Sequence, residues 1–134
     1  QAPCEVFCIG SSFIPELKAA NDIDSVVVVM RFPNGAIASI DNNRSAVYGY
    51  DQRLEAFGSN GMVQVQNYQN SSVTLSTEKG FSTETTMPGM QRYAVAYAAE
   101  IDHFIDVLMG AKPRVSHSDC RIAHRIADAA IESF

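Results

Sequence analysis

Residues 23–42 read IDSVVVVMRFPNGAIASIDN, two largely apolar runs joined by a turn signal. The four consecutive valines of the first run favour a β-strand, because β-branched side chains pack well on a pleated surface. This strand is apolar at successive positions, so both of its faces are expected to be covered. The dipeptide Asn34-Gly35 is the pair that two-residue hairpin turns prefer. The stretch therefore predicts an antiparallel hairpin, with strands over residues 23–32 and 36–42.

Shorter strand patterns surround this hairpin. Cys4–Ile9 predicts a short strand. Ser11–Asp24 contains Pro15 and several polar residues, so it predicts a connecting loop or an irregular edge. Two further hairpins are expected where paired runs flank turns that contain glycine. Their strands are predicted over residues 52–57 with 62–66, and 72–77 with 81–86. Three hairpins in succession predict a meander.

The pattern changes after Pro88-Gly89. Apolar residues then recur at helical spacing and predict a helix of about 17 residues with one apolar stripe. The stripe consists of Tyr97, Ile101, Phe104, Ile105 and Leu108. Ser116 and Asp119 have the spacing of a capping box, which predicts the start of a second amphipathic helix. Strands followed by helices predict an α+β fold in one domain over residues 1–134, a large, mostly antiparallel open sheet packed on one face by two C-terminal helices.

The composition excludes several classes of protein. The 134 residues are 46% hydrophobic, which is too apolar for a disordered tail. The net charge is −5, and nucleic acid is not an expected partner because phosphate binding needs a positive surface. No run approaches the roughly 20 apolar residues that cross a bilayer, so no membrane association is expected. The charge is compatible with a small, neutral ligand.

The cysteines and histidines predict neither a disulfide nor a metal site. Cys4 and Cys8 would lie roughly 13 Å apart along a strand, beyond the reach of a disulfide. Free thiols are typical of a reducing compartment, so a cytoplasmic location is expected. His117 and His124 would be separated by roughly 10.5 Å along a helix, too far to share a metal ion. The sequence also lacks the glycine-rich loops that hold nucleotide phosphates.

The polar segment from residue 41 to residue 53 is the most unusual part of the chain. In an extended backbone Tyr48 and Tyr50 would point to the same side. With Asn43 and Arg44 nearby, the two phenols predict a pocket for a ligand rich in hydroxyl groups. The alternative is a polar connecting loop whose tyrosines only cap the sheet.

This segment also carries a resemblance to a known family. Residues 40–44, Ala46–Arg53 (Ala-Val-Tyr-Gly-Tyr-Asp-Gln-Arg) and Glu55–Met62 resemble inositol 2-dehydrogenases of the Gfo/Idh/MocA oxidoreductase family. The tail, from Arg92-Tyr93 through the last predicted helix, is similar to the two closing helices of that family. The Tyr-Gly-Tyr-Asp-Gln-Arg stretch is the specific part of the resemblance, which covers nearly the whole chain.

The resemblance implies a two-domain parent enzyme. An N-terminal Rossmann domain binds NAD or NADP, and a C-terminal domain binds substrate and joins subunits through its sheet. Residues 1–134 are expected to form that second domain alone, with the Rossmann domain absent and no cofactor bound. The family's catalytic lysine lies in a Glu-Lys-Pro motif that this sequence lacks, and its catalytic aspartate and histidine precede the sheet. No catalytic residue is therefore expected here, and the chain alone is expected to be inactive.

Site residues follow from the resemblance position by position. Tyr48 and Tyr50 match substrate-contacting positions of the family, and the substrate is expected to be a small polyol or sugar. Four neighbours are expected to help shape that wall or the sheet interface, namely Asn43, Arg44, Asp51 and Arg53. Tyr93, with Tyr97, is expected near the cofactor, although packing in the core is an alternative for both.

Two other functions remain open. One is a non-enzymatic module of sheet and helices that associates with itself, and the other is a small domain that binds polar sugars. A homo-oligomer through the sheet face is expected both for the dehydrogenase domain and for the self-associating module. The reason is that two helices can cover only one face of the strand Val26–Phe32.

Overall fold

A computed structural model of the chain describes residues 1–85 and 88–134. Its antiparallel strands in open sheets, together with its helices, confirm the α+β class. The chain divides into two compact units, residues 1–45 with 112–134 and residues 46–111. Within the described residues, no helix has the length and apolar character needed to cross a membrane. The elements in chain order are β1 (Glu5–Ser11), α1 (Pro15–Ala19), β2 (Ser25–Arg31), β3 (Ile37–Asn43), β4 (Leu54–Gly58), β5 (Gly61–Val65), β6 (Thr74–Thr77), β7 (Gly80–Thr83), α2 (Gly89–Arg92), α3 (Ala94–Leu108) and α4 (His117–Ser133).

The first unit contains a three-stranded antiparallel sheet in the order β1-β2-β3. The predicted hairpin is confirmed, with a loop of three residues, Pro33-Asn34-Gly35, between Phe32 and Ala36. Gly35 has a positive φ of 85°, which glycine adopts without steric cost. Cys8, Val28 and Met30 form the buried core on one face of the sheet. Ile126 and Ala130 of α4 pack against that core.

Helix α4 is capped at its start and joined to the sheet near its end. Ser116 and Asp119 form the predicted capping box at its start. Near its end, the Ser133 hydroxyl accepts a hydrogen bond of 3.0 Å from the backbone N–H of Cys8 on the edge strand β1. A Cβ on Gly10 would lie 3.1 Å from the ring of Phe134, so a side chain at this position would require the ring to shift.

The other face of this sheet is exposed. Its apolar residues come from all three strands, because the register places them side by side. They are Phe7, Ile9, Val27, Val29 and Ile37. In the first unit, helical residues therefore pack on one face of the sheet and leave the other face exposed, as expected.

The segment Ser11–Asp24, predicted as a loop, contains the short helix α1, with Pro15 at its first turn. Proline is favoured there because its fixed φ suits a helix start and no N–H partner is needed. The buried carboxylate of Asp24 holds the loop before it, accepting hydrogen bonds from the backbone N–H groups of Phe13 at 2.6 Å and Ile14 at 2.7 Å. The helix was missed because five residues are too few to show a periodicity.

The second unit holds the other two hairpins, β4 with β5 and β6 with β7. Both hairpins are confirmed, although Thr86, the predicted end of the last strand, lies outside the described residues. The described strands form three separate sheets, where the sequence predicted a single large sheet. Within residues 44–53 and 66–73 the structure describes no strand, although Gly49 forms an isolated β-bridge, and these stretches interrupt the continuous pairing that a single meander would need.

The helical part of the second unit begins with α2 and continues as α3. Tyr93 separates them and has a φ of −99°, outside regular helical geometry. The predicted helix of about 17 residues thus corresponds to α3, which has 15. Within the first unit α4 packs on the three-stranded sheet, and α3 is part of the second unit.

Candidate functional site

The segment that carries Tyr48 and Tyr50 is not extended, contrary to the premise of the sequence argument. Tyr48 lies in a turn, and Gly49 has a φ of 114°. The N–H of Gly49 donates to the carbonyl oxygen of Ala46 at 3.1 Å, which closes the turn. A positive φ at glycine departs from strand geometry, so the alternation of a strand does not determine where the two phenols point. Their positions come from their own contacts.

Tyr48 is held by the carboxylate of Asp51. Its hydroxyl donates to Oδ2 of Asp51 at 2.5 Å. Arg53 forms a forked ion pair with the same carboxylate, with Nε 2.8 Å from Oδ1 and Nη2 2.9 Å from Oδ2. The side chain of Asp51 is only 13% exposed. Its negative charge is therefore matched by Arg53 and turned away from solvent.

Asn67 and Arg92 join this carboxylate to the start of the helices. Nδ2 of Asn67 donates to Oδ1 of Asp51 at 2.6 Å. Oδ1 of Asn67 accepts from Nη1 of Arg92 at 3.0 Å and from the N–H of Gln52 at 2.9 Å. Nη2 of Arg92 also donates to the carbonyl oxygen of Gln52 at 2.7 Å. The tyrosine segment is thus fastened to α2 by polar contacts that share partners.

Tyr50 is held by a different set of contacts. Its ring meets the ring of Tyr93 edge to face, with centroids 5.8 Å apart and planes at 88°. Tyr97 extends the row, 6.2 Å from Tyr93. The Tyr50 ring also lies against Gly89, where a Cβ would lie 3.1 Å from the ring carbon Cδ2. The absence of a side chain at Gly89 therefore makes room for the ring.

Hydrogen bonding shifts two acid–base groups of this cluster. The pKa of the Asp51 carboxyl lies far below its usual value of 3.8, because it accepts hydrogen bonds first from Arg53, then from Tyr48 and Asn67. The pKa of Tyr93 is raised above its usual value of 10.0, mainly by its hydrogen bond to Tyr50. Asp51 is accordingly a carboxylate, and Tyr93 a neutral phenol, throughout the neutral pH range.

Asn43 and Arg44 belong to the first unit. Nδ2 of Asn43 donates to the hydroxyl of Ser25 at 2.6 Å, and its Oδ1 accepts from the N–H of Ser45 at 2.7 Å. The N–H of Arg44 donates to the carbonyl oxygen of Asp24 at 2.9 Å. These contacts organise the end of β3, and a ligand role for the pair stays a prediction.

Of the predicted residues, Tyr48, Asp51 and Arg53 form one cluster, and Tyr50, Tyr93 and Tyr97 form another. Sequence reasoning missed the contributions of Asn67, Gln52, Arg92 and Gly89. Asn67 follows a strand without any motif, and Gly89 was noticed only as a break in the pattern. No group of three potential metal ligands occurs among the residues that the structure describes.

Comparison with known proteins connects the chain to a family. The model of the GFO/IDH/MocA C-terminal domain matches residues 1–64. Over 132 residues, the chain is 41% identical to a myo-inositol 2-dehydrogenase of Thermotoga maritima, covering 96% of this chain and 40% of that protein.

Solved structures agree over nearly the whole chain. A myo-inositol dehydrogenase from Corynebacterium glutamicum superposes with a TM-score of 0.89 at 34% identity, covering 96% of this chain and 40% of that one. A scyllo-inositol dehydrogenase from Lactobacillus casei, with bound NAD(H) and scyllo-inositol, gives a TM-score of 0.86 at 25% identity, covering 96% and 39%. The chain spans about two fifths of the length of the relatives it matches. By the family model, the sequence relatives and the structural superpositions together, the chain is a C-terminal domain of the Gfo/Idh/MocA oxidoreductase family.

Proposed function

We propose that this chain is the substrate-binding and oligomerisation domain of an NAD-dependent dehydrogenase that oxidises inositol or a similar polyol. The observation that carries the proposal is that Tyr48 and Tyr50 are held in place and yet accessible. Each phenol is fixed by neighbouring groups of the second unit, yet they remain 52% and 43% exposed. Fixed but accessible hydroxyl groups are what a ligand rich in hydroxyls requires.

The electrostatics of the cluster support a neutral ligand. Asp51 and Arg53 neutralise each other, so the fixed phenols lie beside a charge pair rather than beside an uncompensated charge. A polyol carries no charge and is recognised by hydrogen bonds that depend on direction. In this proposal the residues of the chain bind and orient the polyol, and they do not form or break its bonds.

When bound, NAD supplies the hydride acceptor for the oxidation of the secondary alcohol. NAD is favoured over NADP because a related structure contains NAD(H) together with scyllo-inositol. Tyr93 stays the only cofactor contact proposed from this chain. Its ring lies between those of Tyr50 and Tyr97, which supports the packing alternative. The groups that hold the cofactor phosphates would then come from the Rossmann domain expected of the parent enzyme.

The exposed face of the three-stranded sheet supports the oligomerisation role. Phe7 and Ile9 are each 60% exposed, and Val27 and Val29 lie between β1 and β3 on the same face. Contiguous apolar surface of this kind marks interaction sites in soluble proteins. The proposed partner is a second copy of the chain, and the three free cysteines support a reducing, cytoplasmic location.

The second candidate is a non-enzymatic module that only associates with itself. The exposed sheet face favours it equally, whereas the fixed tyrosines give it no support. The two candidates differ in whether the domain takes part in polyol oxidation. They therefore make the same prediction about self-association and opposite predictions about the tyrosines.

The experiment is an assay of NAD reduction with myo-inositol, on the chain alone and on the dehydrogenase polypeptide that carries this domain. We expect no turnover from the chain alone and turnover from the longer polypeptide. Turnover by the chain alone would overturn the division of labour proposed here. Absence of turnover from the longer polypeptide, with this and other inositol isomers, would favour the non-enzymatic module.

A further inference from the structure

The direction of the hydrogen bond between Tyr48 and Asp51 is fixed by chemistry. An ionised carboxylate can accept hydrogen bonds but cannot donate one. All the groups described at this carboxylate are donors, namely Arg53, Asn67 and Tyr48. Since the pKa of Asp51 lies far below neutral, the carboxylate is ionised under ordinary conditions. The phenolic hydrogen of Tyr48 is therefore committed to Asp51.

A phenol has a single hydrogen to donate, together with lone pairs that can accept. Once that hydrogen points to Asp51, the Tyr48 oxygen can offer a ligand only its acceptor capacity. Tyr50 differs, because its oxygen lies 3.4 Å from the hydroxyl of Tyr93 and accepts from it. This contact leaves the hydrogen of Tyr50 available to a ligand. Toward a ligand, Tyr48 can thus only accept a hydrogen bond, whereas Tyr50 can donate one.

We propose that Asp51 is a specificity-determining positioning residue, which makes Tyr48 an obligate acceptor and so selects a ligand with a hydroxyl group at that point. The inference rests on the proposed function, which places the polyol against Tyr48. A carbonyl or ether oxygen cannot donate and would leave two acceptors facing each other. The site would therefore distinguish an alcohol from a ketone or an ether of nearly the same shape at this one position.

The variant Asp51→Asn tests the idea because it reverses the polarity with little change in shape. Arg53 and Asn67 both donate to Oδ1, so the amide oxygen is expected to occupy that position. The amide nitrogen then takes the place of Oδ2, where it donates to Tyr48 and no longer accepts from Nη2 of Arg53. The Tyr48 hydrogen is released and becomes available to a ligand. Asp102→Asn, at an exposed carboxylate on α3, is the matched control.

The first measurement needs no ligand and uses the chain labelled with ¹³C at the ζ carbon of tyrosine. We expect Asp51→Asn to shift the Tyr48 resonance and Asp102→Asn to leave it in place. If Asp51→Asn misfolds, the reciprocal experiment replaces it. In Tyr48→Phe the carboxyl ¹³C resonance of Asp51 should move, and in Tyr68→Phe it should not. Unchanged resonances in both experiments would show that the hydrogen bond is absent and would overturn the proposal.

The second measurement uses monodeoxyfluoro-inositols in the dehydrogenase that carries this domain, because fluorine resembles a hydroxyl in size but cannot donate. We expect one positional isomer to lose about two- to thirteen-fold in kcat/KM, the worth of one neutral hydrogen bond. That loss should disappear in Tyr48→Phe and shrink in Asp51→Asn. Retention of the full loss in Asp51→Asn would overturn the role of Asp51. A loss that Tyr48→Phe leaves unchanged would instead overturn the placement of Tyr48 at the polyol.

Discussion

The ring of Tyr50 lies against Gly89, so close that a Cβ on Gly89 would be 3.1 Å from Cδ2 and 3.2 Å from Cε2 of the ring. Distances of this kind require the ring to move if any side chain is added. Tyr50 is one of the two proposed polyol contacts. The absence of a side chain at Gly89 therefore determines the position of the Tyr50 phenol.

Gly89→Ala is expected to weaken polyol recognition without unfolding the protein. Alanine suits the first turn of α2, so the helix itself should not suffer. Displacement of the Tyr50 hydroxyl should cost about one neutral hydrogen bond, roughly two- to thirteen-fold in kcat/KM for the polyol. Gly58→Ala is the matched control, because the nearest atom to its Cβ would be 4.0 Å away. Equal kinetics for the two variants would argue against a fixed position for Tyr50.

The position of α1 depends on the buried carboxylate of Asp24. Asp24→Asn keeps one acceptor oxygen, which can serve Phe13 and Ile14, but it removes the negative charge and puts an NH2 group, which cannot accept, in place of the oxygen that accepts from Ser25. The free energy of unfolding should therefore fall at pH 7. Asp128→Asn, exposed on α4, should have little effect. Urea unfolding at several pH values measures both.

The same carboxylate makes the stability of the first unit depend on pH. Hydrogen bonds from the backbone, first from Ile14, hold the pKa of Asp24 below its usual value of 3.8. A group with a lowered native pKa stabilises the fold above the pKa of the unfolded chain, and this contribution is lost as the pH falls through the native value. The difference between the wild type and Asp24→Asn should therefore narrow below about pH 4. A difference that stays constant down to pH 2 would contradict this assignment.

Ser116→Ala removes the cap of α4 and should lower the free energy of unfolding by about 0.5–2 kcal/mol. The Ser116 hydroxyl accepts from the N–H of Asp119 at 3.3 Å, and the carboxylate of Asp119 accepts from the N–H of Ser116 at 2.8 Å. Ser116→Thr, which keeps the hydroxyl, should retain most of the stability. Thermal unfolding followed by circular dichroism provides the comparison. If alanine and threonine are equivalent, the cap contributes nothing.

Self-association through the sheet should depend on Phe7. The wild-type chain is expected to form an oligomer at micromolar concentration, and Phe7→Lys to form a monomer, because a charge in the centre of an apolar interface is costly to bury. Met109→Lys, at the exposed end of α3, is the control. Size exclusion with light scattering determines the masses. A monomeric wild type, or an oligomer that survives Phe7→Lys, would contradict the proposed interface.

Local sequence patterns predicted the elements better than their assembly. The valine run, the Asn34-Gly35 turn and the Ser116 cap depend on neighbours within a few residues, and all three are confirmed. Which strands share a sheet depends on pairing between distant segments, which the periodicity of a single strand does not encode. The sequence therefore predicted one large sheet, whereas the described strands form three separate sheets.

The candidate site shows the same limit. Residue types identified Tyr48 and Tyr50, but the extended geometry assumed for them was wrong because Gly49 has a positive φ. The partners that fix them, Asp51 apart, lie 15 or more residues away in the chain, at Asn67, Gly89 and Tyr93. Contacts over such separations arise from folding and cannot be seen in the local pattern.

The most direct test of the central claim is the steady-state kinetics of Tyr48→Phe and Tyr50→Phe in the dehydrogenase polypeptide that carries this domain. Phenylalanine keeps the ring and removes only the hydroxyl, so packing is preserved. We predict that each variant lowers kcat/KM for the polyol by about two- to thirteen-fold, the value of one neutral hydrogen bond, and leaves the KM for NAD near that of the wild type. Unchanged polyol kinetics in both variants, with NAD binding intact, would contradict the claim that these tyrosines contact the substrate.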